Sequence, residues 1–177
     1  RIVTRIALAA WGLALVGLWI VGSMAAWVPR GWLPDPALLV AVALGLRVPG
    51  APGLLTAWAV GWTADLLSAG PLGQHALLDM TAWLLTRGAA QRIALARAVV
   101  LVPFVVGLTA LHFVGEWLLG GVPQPHRETL GIAIPHATAN ATAVLAVRRL
   151  FDAVLGRVDP EDPLHGALRI DPGTGVR

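Results

Sequence analysis

Residues 61–76, GWTADLLSAGPLGQHA, place one carboxylate near the end of an apolar segment and break the chain directly after it. The carboxylate is that of Asp65, and His75 follows the glycine-proline break. An aspartate at membrane depth costs about 2.5–3.5 kcal/mol on insertion scales, so it is a functional-site hypothesis by default. The stretch therefore predicts two apolar helices joined by a polar junction.

The composition predicts a membrane protein. The chain is 56% hydrophobic and 13% charged, with a mean hydropathy of +0.72, whereas soluble domains carry about 25% charged residues. Cysteine is absent, which excludes disulfides. All thirteen basic residues are arginine, but the net charge is only +3 and no soluble basic face can be drawn. Nucleic-acid binding is therefore not expected.

Apolar segments recur six times along the chain. The first has 23 residues, enough to cross a ~30 Å hydrocarbon layer, and is interpreted as a retained span. The second is short and starts at a proline that Asp35 can cap. We predict an all-α integral membrane protein, with six transmembrane helices in residues 1–150 and a disordered cytoplasmic tail over residues 151–177. The six runs are residues 6–28, 36–46, 52–69, 72–86, 98–119 and 131–147.

The arginines predict the orientation. Cytoplasmic loops of membrane proteins are enriched in basic residues. Eight arginines fall on one side of the six-run alternation and two on the other, so both termini are predicted to be cytoplasmic. An amphipathic surface helix is expected between runs four and five. The eight are Arg1, Arg5, Arg47, Arg87, Arg92, Arg97, Arg148 and Arg149, and the two are Arg30 and Arg127.

Six polar side chains are predicted to lie within roughly 10 Å of the outer surface along their helices. They would line an outward-facing recess or the top of a helix interface. Alternatively, each is satisfied locally, for example by pairing of His75 with Asp79 at the four-residue helical spacing. The six are Asp65, His75, Asp79, His112, Glu116 and His136.

The junction itself is predicted to be a structural or partner-binding element. Gly61 shares a helix face with Asp65 and would allow a neighbouring backbone to come close. Asp65 either caps the fourth helix or acts as a proton or ligand site. In the capping case an asparagine should substitute nearly normally, because it still accepts a hydrogen bond. The other junction residues are Ser68, Pro71, Gly73 and His75.

Catalysis and metal binding are not predicted. Histidine, aspartate and glutamate are acceptable zinc ligands by type, and the outer polar residues are of these types. The sequence has no HExxH arrangement and no Gly-x-Ser-x-Gly nucleophile motif. We therefore expect no metal, no cofactor and no enzymatic activity, with an intramembrane enzyme kept as a minor alternative.

The junction resembles that of the bacterial rod shape-determining protein family MreD. The resemblance covers residues 1 to about 150 and includes Pro34-Asp35 and Gly53. Its centre is the pattern Gly61-x-x-x-Asp65-Leu66-Leu67-Ser68-x-x-Pro71-Leu72-Gly73-x-His75-Ala76. Runs five and six match only loosely, so the resemblance assigns no role to His112, Glu116 or His136.

The resemblance implies a non-enzymatic scaffold of the cell-elongation complex in the bacterial inner membrane. Its partners would be MreC and, with it, RodA, the penicillin-binding partner of RodA, MreB and membrane lipid. It also implies a fold resembling the substrate-binding subunits of energy-coupling-factor transporters. A small-molecule-binding subunit of a vitamin-type transporter is therefore the main alternative, and self-association is left open.

Overall fold

The computed structural model describes residues 2–68, 70–120 and 127–158. Within these ranges the chain forms six α-helices and one 3-10 helix, Arg30–Trp32, and no strand. The predicted all-α fold is confirmed, and the fifth run coincides with its helix at both ends. The helices are α1 Ile2–Met24, α2 Pro36–Arg47, α3 Gly50–Leu67, α4 Gln74–Ala90, α5 Ala98–Leu119 and α6 Arg127–Val158.

The short helix α2 lies at the centre of the bundle. Every residue from 37 to 45 is buried, which accounts for an apolar sequence on all sides of this helix. Helices α1, α3, α4 and α6 pack around it, and α5 packs outside against α4 and α6. Asp35 caps its start, because Oδ1 accepts hydrogen bonds from Ala37 N at 2.9 Å and Leu38 N at 3.1 Å. The predicted cap is confirmed.

Two polar contacts fix the register of α2 against α6. At one end Asp35 N donates to Asn140 Oδ1 at 2.7 Å. At the other end Arg47 Nη2 lies 2.8 Å from Asp152 Oδ2. Both contacts join residues 105 positions apart, so the two helices run side by side in the same direction. The two contacts are about 18 Å apart along α2.

Two glycines allow the helices to approach closely. A Cβ at Gly61 would lie 2.5 Å from His75 O and 2.6 Å from Ala76 Cα, so α3 touches the backbone of α4 there. A Cβ at Gly45 would lie 2.7 Å from Thr86 Cβ, where α2 touches α4. The predicted close approach at Gly61 is confirmed. The neighbour is a helix of the same chain, so this face of Gly61 is already occupied.

Two segments differ from the sequence predictions. The sixth helix does not end near residue 150, because α6 continues to Val158 with Phe151 buried against the core. The predicted domain boundary at 150 is therefore wrong, and residues 159–177 lie outside the described part. The prediction of a separate amphipathic surface helix between runs four and five is also wrong. Helix α4 extends to Ala90 and residues 91–97 form turns, anchored by the buried Leu95.

The outer surface of the bundle is strongly apolar. Helices α1 and α5 are long and apolar enough to cross a membrane, and only 11% and 28% of their most apolar segments are buried inside the protein. Large side chains such as Trp19, Val99 and Ile134 are 74–78% exposed. Apolar surface of this extent is rare on soluble monomers and marks contact with a membrane or another protein.

The close approach at Gly61 leads to a test with a matched control. Gly61→Ala would place a methyl group against the α4 backbone, so we expect destabilisation by about 1–3 kcal/mol. Gly107→Ala on α5 meets no atom within 4 Å and should be neutral or stabilising by up to about 1 kcal/mol. Thermal unfolding in detergent, followed by tryptophan fluorescence, measures both. Equal unfolding temperatures for the two variants would contradict the tight α3–α4 contact.

Candidate functional site

The carboxylate of Asp65 organises the junction between α3 and α4. Its side chain is buried, and Oδ2 accepts hydrogen bonds from Gly73 N at 3.0 Å and Ala76 N at 3.1 Å. Oδ1 accepts one from His75 N at 2.8 Å. These donors belong to the first turn of α4, where backbone N–H groups have no partner within the helix. The predicted capping of the fourth helix by Asp65 is confirmed.

The cap comes from another helix because the local N-cap residue has no side chain. Gly73 holds that position with φ of +90°, a backbone conformation that glycine adopts readily. On the α3 side, Ser68 Oγ donates to Asp65 O at 3.2 Å and accepts from Gly70 N at 3.4 Å. Pro71 O accepts from Gln74 N at 3.3 Å. The predicted junction residues thus form one turn around Asp65.

The imidazole of His75 connects this junction to α5. Its Nδ1 lies 3.0 Å from Asp65 Oδ1, and its Nε2 lies 3.6 Å from Glu116 Oε1. The predicted pairing of His75 with Asp79 is wrong. Asp65 already holds the ring, and neither carboxylate oxygen of Asp79 has a hydrogen-bond partner among the described residues.

A second histidine completes a polar cluster at this end of the bundle. His112 on α5 is only 6% exposed, and its Nε2 lies 3.5 Å from Glu116 Oε1 and 3.6 Å from Asp35 Oδ2. The starts of α2 and α4 and the ends of α3 and α5 therefore converge. We call Asp35, Asp65, His75, His112 and Glu116 the polar cluster.

The sequence anticipated four of these five residues. The sequence analysis assigned Asp35 only the cap of α2. Capping uses Oδ1 alone, which leaves Oδ2 free to contact His112 as a member of the cluster. Two of the predicted residues do not join the cluster. Asp79 is fully buried without a hydrogen-bond partner in the described ranges, and half-buried His136 makes no described hydrogen bond or ion pair.

Two buried amides support the cluster and were not predicted as site residues. Asn140 accepts from Asp35 N at 2.7 Å and donates through Nδ2 to Thr109 Oγ1 at 3.1 Å. Gln74 donates through Nε2 to Glu116 O at 2.8 Å, which ties the start of α4 to the end of α5. The signal for Asn140 is an amide within an apolar run, where an unpaired polar group is unfavourable.

A cavity of about 790 Å³ adjoins the polar cluster. Its walls come mainly from apolar side chains of α1 and α3, including Leu15, Trp19 and Leu67, while Asp35 and His75 supply polar lining. Apolar walls with a few placed polar groups are typical of small-molecule sites. The cluster therefore borders a space that could admit a ligand.

The chain matches no family model, no curated protein and no solved structure. The likeness to the MreD family therefore stays a prediction from the sequence, based above all on the junction residues.

Two buried aspartates provide a matched test of the cap. Asp65→Ala removes the acceptor of three backbone N–H groups and should lower the free energy of unfolding by about 3 kcal/mol or more. Asp79→Ala removes a carboxyl without described partners and should change stability by no more than about 1 kcal/mol. Unfolding in detergent measures both. Equal losses in the two variants would show that burial, and not capping, sets the effect.

The structure also revises the expectation for an asparagine at position 65. Both carboxylate oxygens accept backbone N–H groups, so the amide of Asp65→Asn would turn an NH₂ group toward donors. We expect a loss of about 1.5–3 kcal/mol, intermediate between the wild type and Asp65→Ala. If Asp65→Asn unfolded with the same free energy as the wild type in this assay, a single side-chain oxygen would be sufficient to cap α4.

Proposed function

We propose that the protein is a multi-pass membrane scaffold of the MreD type, with six spans in a bacterial inner membrane. The apolar outer surface of the bundle carries the membrane location, and the junction at residues 61–76 carries the assignment to the MreD type. Helix α1 buries only 11% of its most apolar segment, and Trp19 on it is 74% exposed. Lipid, or the membrane segment of a partner, would cover such surface at low energetic cost.

The positions of charge support the orientation with both termini in the cytoplasm. Helix α2 begins at the polar cluster with Asp35 and ends at Arg47, which pairs with Asp152. The end of α4 with Arg87 and the start of α5 after Arg97 lie at the same end of the bundle as Arg47, in agreement with the eight-to-two distribution. In the proposed orientation, basic residues face the cytoplasm and the polar cluster lies near the outer surface.

The hydrogen bonds that the buried polar side chains make between helices support a scaffold. Asp65 caps α4, Gln74 joins α4 to α5, and Asn140 joins the start of α2 to α5 and α6. These bonds hold helices together at the outer end, as a rigid docking platform requires. The proposed partner is MreC, with RodA, the penicillin-binding partner of RodA and MreB as further members of the complex.

The cavity favours a second candidate function. At about 790 Å³ it lies within the size range of small-molecule pockets, roughly 300–1,000 Å³. Asp35 and His75 could fix the polar end of an otherwise apolar ligand against the walls formed by α1 and α3. This arrangement supports a small-molecule-binding subunit of a vitamin-type transporter as the alternative.

The proposed topology predicts the location of reporter fusions. Fusions after Arg47 and after Arg97 should report a cytoplasmic position, and fusions near Arg127 should report a periplasmic one. Paired alkaline phosphatase and green fluorescent protein fusions measure this directly. A periplasmic signal after Arg97 would overturn the six-span topology.

Photocrosslinking tests the scaffold against the transporter subunit. A photoreactive amino acid at Trp58 or Trp62, which stack on the exposed side of α3, should capture a bitopic, coiled-coil-containing periplasmic protein. The same residue at buried Trp83 is the control and should capture no other protein. Copurification of an ATPase module and a vitamin-like molecule, without the bitopic protein, would favour the transporter subunit and contradict the scaffold.

A further inference from the structure

Three ligand-type atoms of the polar cluster face one another. One ligand-type atom from each of His75, His112 and Glu116 lies within 4.8 Å of the other two. The distances from Glu116 Oε1 are 3.6 Å to His75 Nε2 and 3.5 Å to His112 Nε2. Ligands that bind Zn²⁺ at about 2.0–2.1 Å in a tetrahedron are separated by about 3.3–3.4 Å. The two measured separations are close to that value.

The buried imidazole of His112 independently points to a missing partner. The side chain is 6% exposed, and its Nε2 has no hydrogen-bond partner among the described residues. A buried polar atom in this state loses its hydration without compensation. Its Nε2 is directed toward Glu116 and Asp35, so a cation at the centre of the cluster would satisfy it.

His75 has the environment of a metal-binding histidine. Its Nδ1 lies 3.0 Å from Asp65 Oδ1, whose carboxylate can only accept a hydrogen bond when it is charged. In the neutral imidazole this hydrogen bond places the proton on Nδ1 and leaves the lone pair of Nε2 on the side of Glu116, whose Oε1 lies 3.6 Å away. A carboxylate that orients the ring through its other nitrogen is the usual support of a metal-bound histidine.

The charge of the polar cluster also favours a cation. Three carboxylates, Asp35, Asp65 and Glu116, surround two imidazoles. Arg47, Arg148 and their partner Asp152 belong to the opposite end of α2 and α6. A divalent cation would compensate the excess of negative charge in a region of low dielectric constant.

We propose that His75, His112 and Glu116 bind one divalent cation of the zinc class. The ligands come from α4 and α5, so the ion would clamp these two helices together. Three protein ligands leave a fourth coordination position. His75 and Asp35 also line the cavity, so a water molecule or a ligand in the cavity could reach this position. The sequence analysis expected no metal, because the ligands occupy two helices and form no short motif.

Metal analysis of the purified full-length chain tests the site. Protein in detergent is stripped with a chelator, equilibrated with Zn²⁺, freed of excess metal and analysed by mass spectrometry. We expect one Zn²⁺ per chain and a higher unfolding temperature, because binding to the folded state stabilises it. Co²⁺ in the same site should give the intense visible bands of tetrahedral coordination. Substoichiometric Zn²⁺, or the weak spectrum of octahedral Co²⁺, would overturn the proposal.

Substitutions locate the ion. Glu116→Gln and His112→Ala should weaken Zn²⁺ binding at least 100-fold and abolish the tetrahedral Co²⁺ spectrum. His136→Ala is the matched control, because this histidine makes no described hydrogen bond or ion pair with the trio and is not one of the three converging ligands, so it should bind as the wild type does. Wild-type binding by both Glu116→Gln and His112→Ala, or loss of binding in His136→Ala, would refute the assignment. Should a ligand variant fail to fold, the wild-type stoichiometry and Co²⁺ spectrum still decide.

Discussion

The fold depends on the carboxylate of Asp65, which satisfies three N–H groups at the start of α4 from the end of α3. Because Asp65 is buried, an N–H group left there without an acceptor would cost about 1–3 kcal/mol. The contact therefore fixes where α4 begins and how the chain turns before it. It also places the ring of His75 against Asp65 and toward Glu116. Backbone capping and the arrangement of the polar cluster thus have a common origin.

A second constraint is the brevity of α2. With 12 residues it measures about 18 Å, and every residue from 37 to 45 is enclosed by other helices. Its polar flanking residues must therefore be satisfied at both ends of the bundle. Asp35 contacts Asn140 and His112, and Arg47 contacts Asp152. The apolar middle and the polar ends of the bundle follow from the length of this central helix.

Helix content, the cap on α2 and the cap on α4 could be predicted because each depends on neighbouring residues or on long apolar runs. The close helix contact at Gly61 could also be predicted, because a glycine and an aspartate four residues apart share a helix face. The partner of His75 could not be predicted, because Asp65 and Asp79 both lie at plausible distances from it along the chain. Only the tertiary arrangement selects between them. The role of Asn140 likewise depends on a contact over 105 positions. The role of the second oxygen of Asp35 depends on its contact with His112 on a distant helix.

Helix α6 has 32 residues and a length of about 48 Å, which exceeds a hydrocarbon layer of ~30 Å. Asn140 anchors it to α2 and α5, and Pro135 lies just before that anchor, where a backbone hydrogen bond is missing. The part after Asn140 is held by the Arg47–Asp152 pair and by buried Phe151. A bend at Pro135 would therefore reorient only the preceding segment, residues 127–134, which packs against the 3-10 helix. That segment is about 12 Å long, so a tilt of about 10° would move its start by roughly 2 Å. Adjustment would be confined to the polar-cluster end of the bundle, while the Arg47 end stays in place.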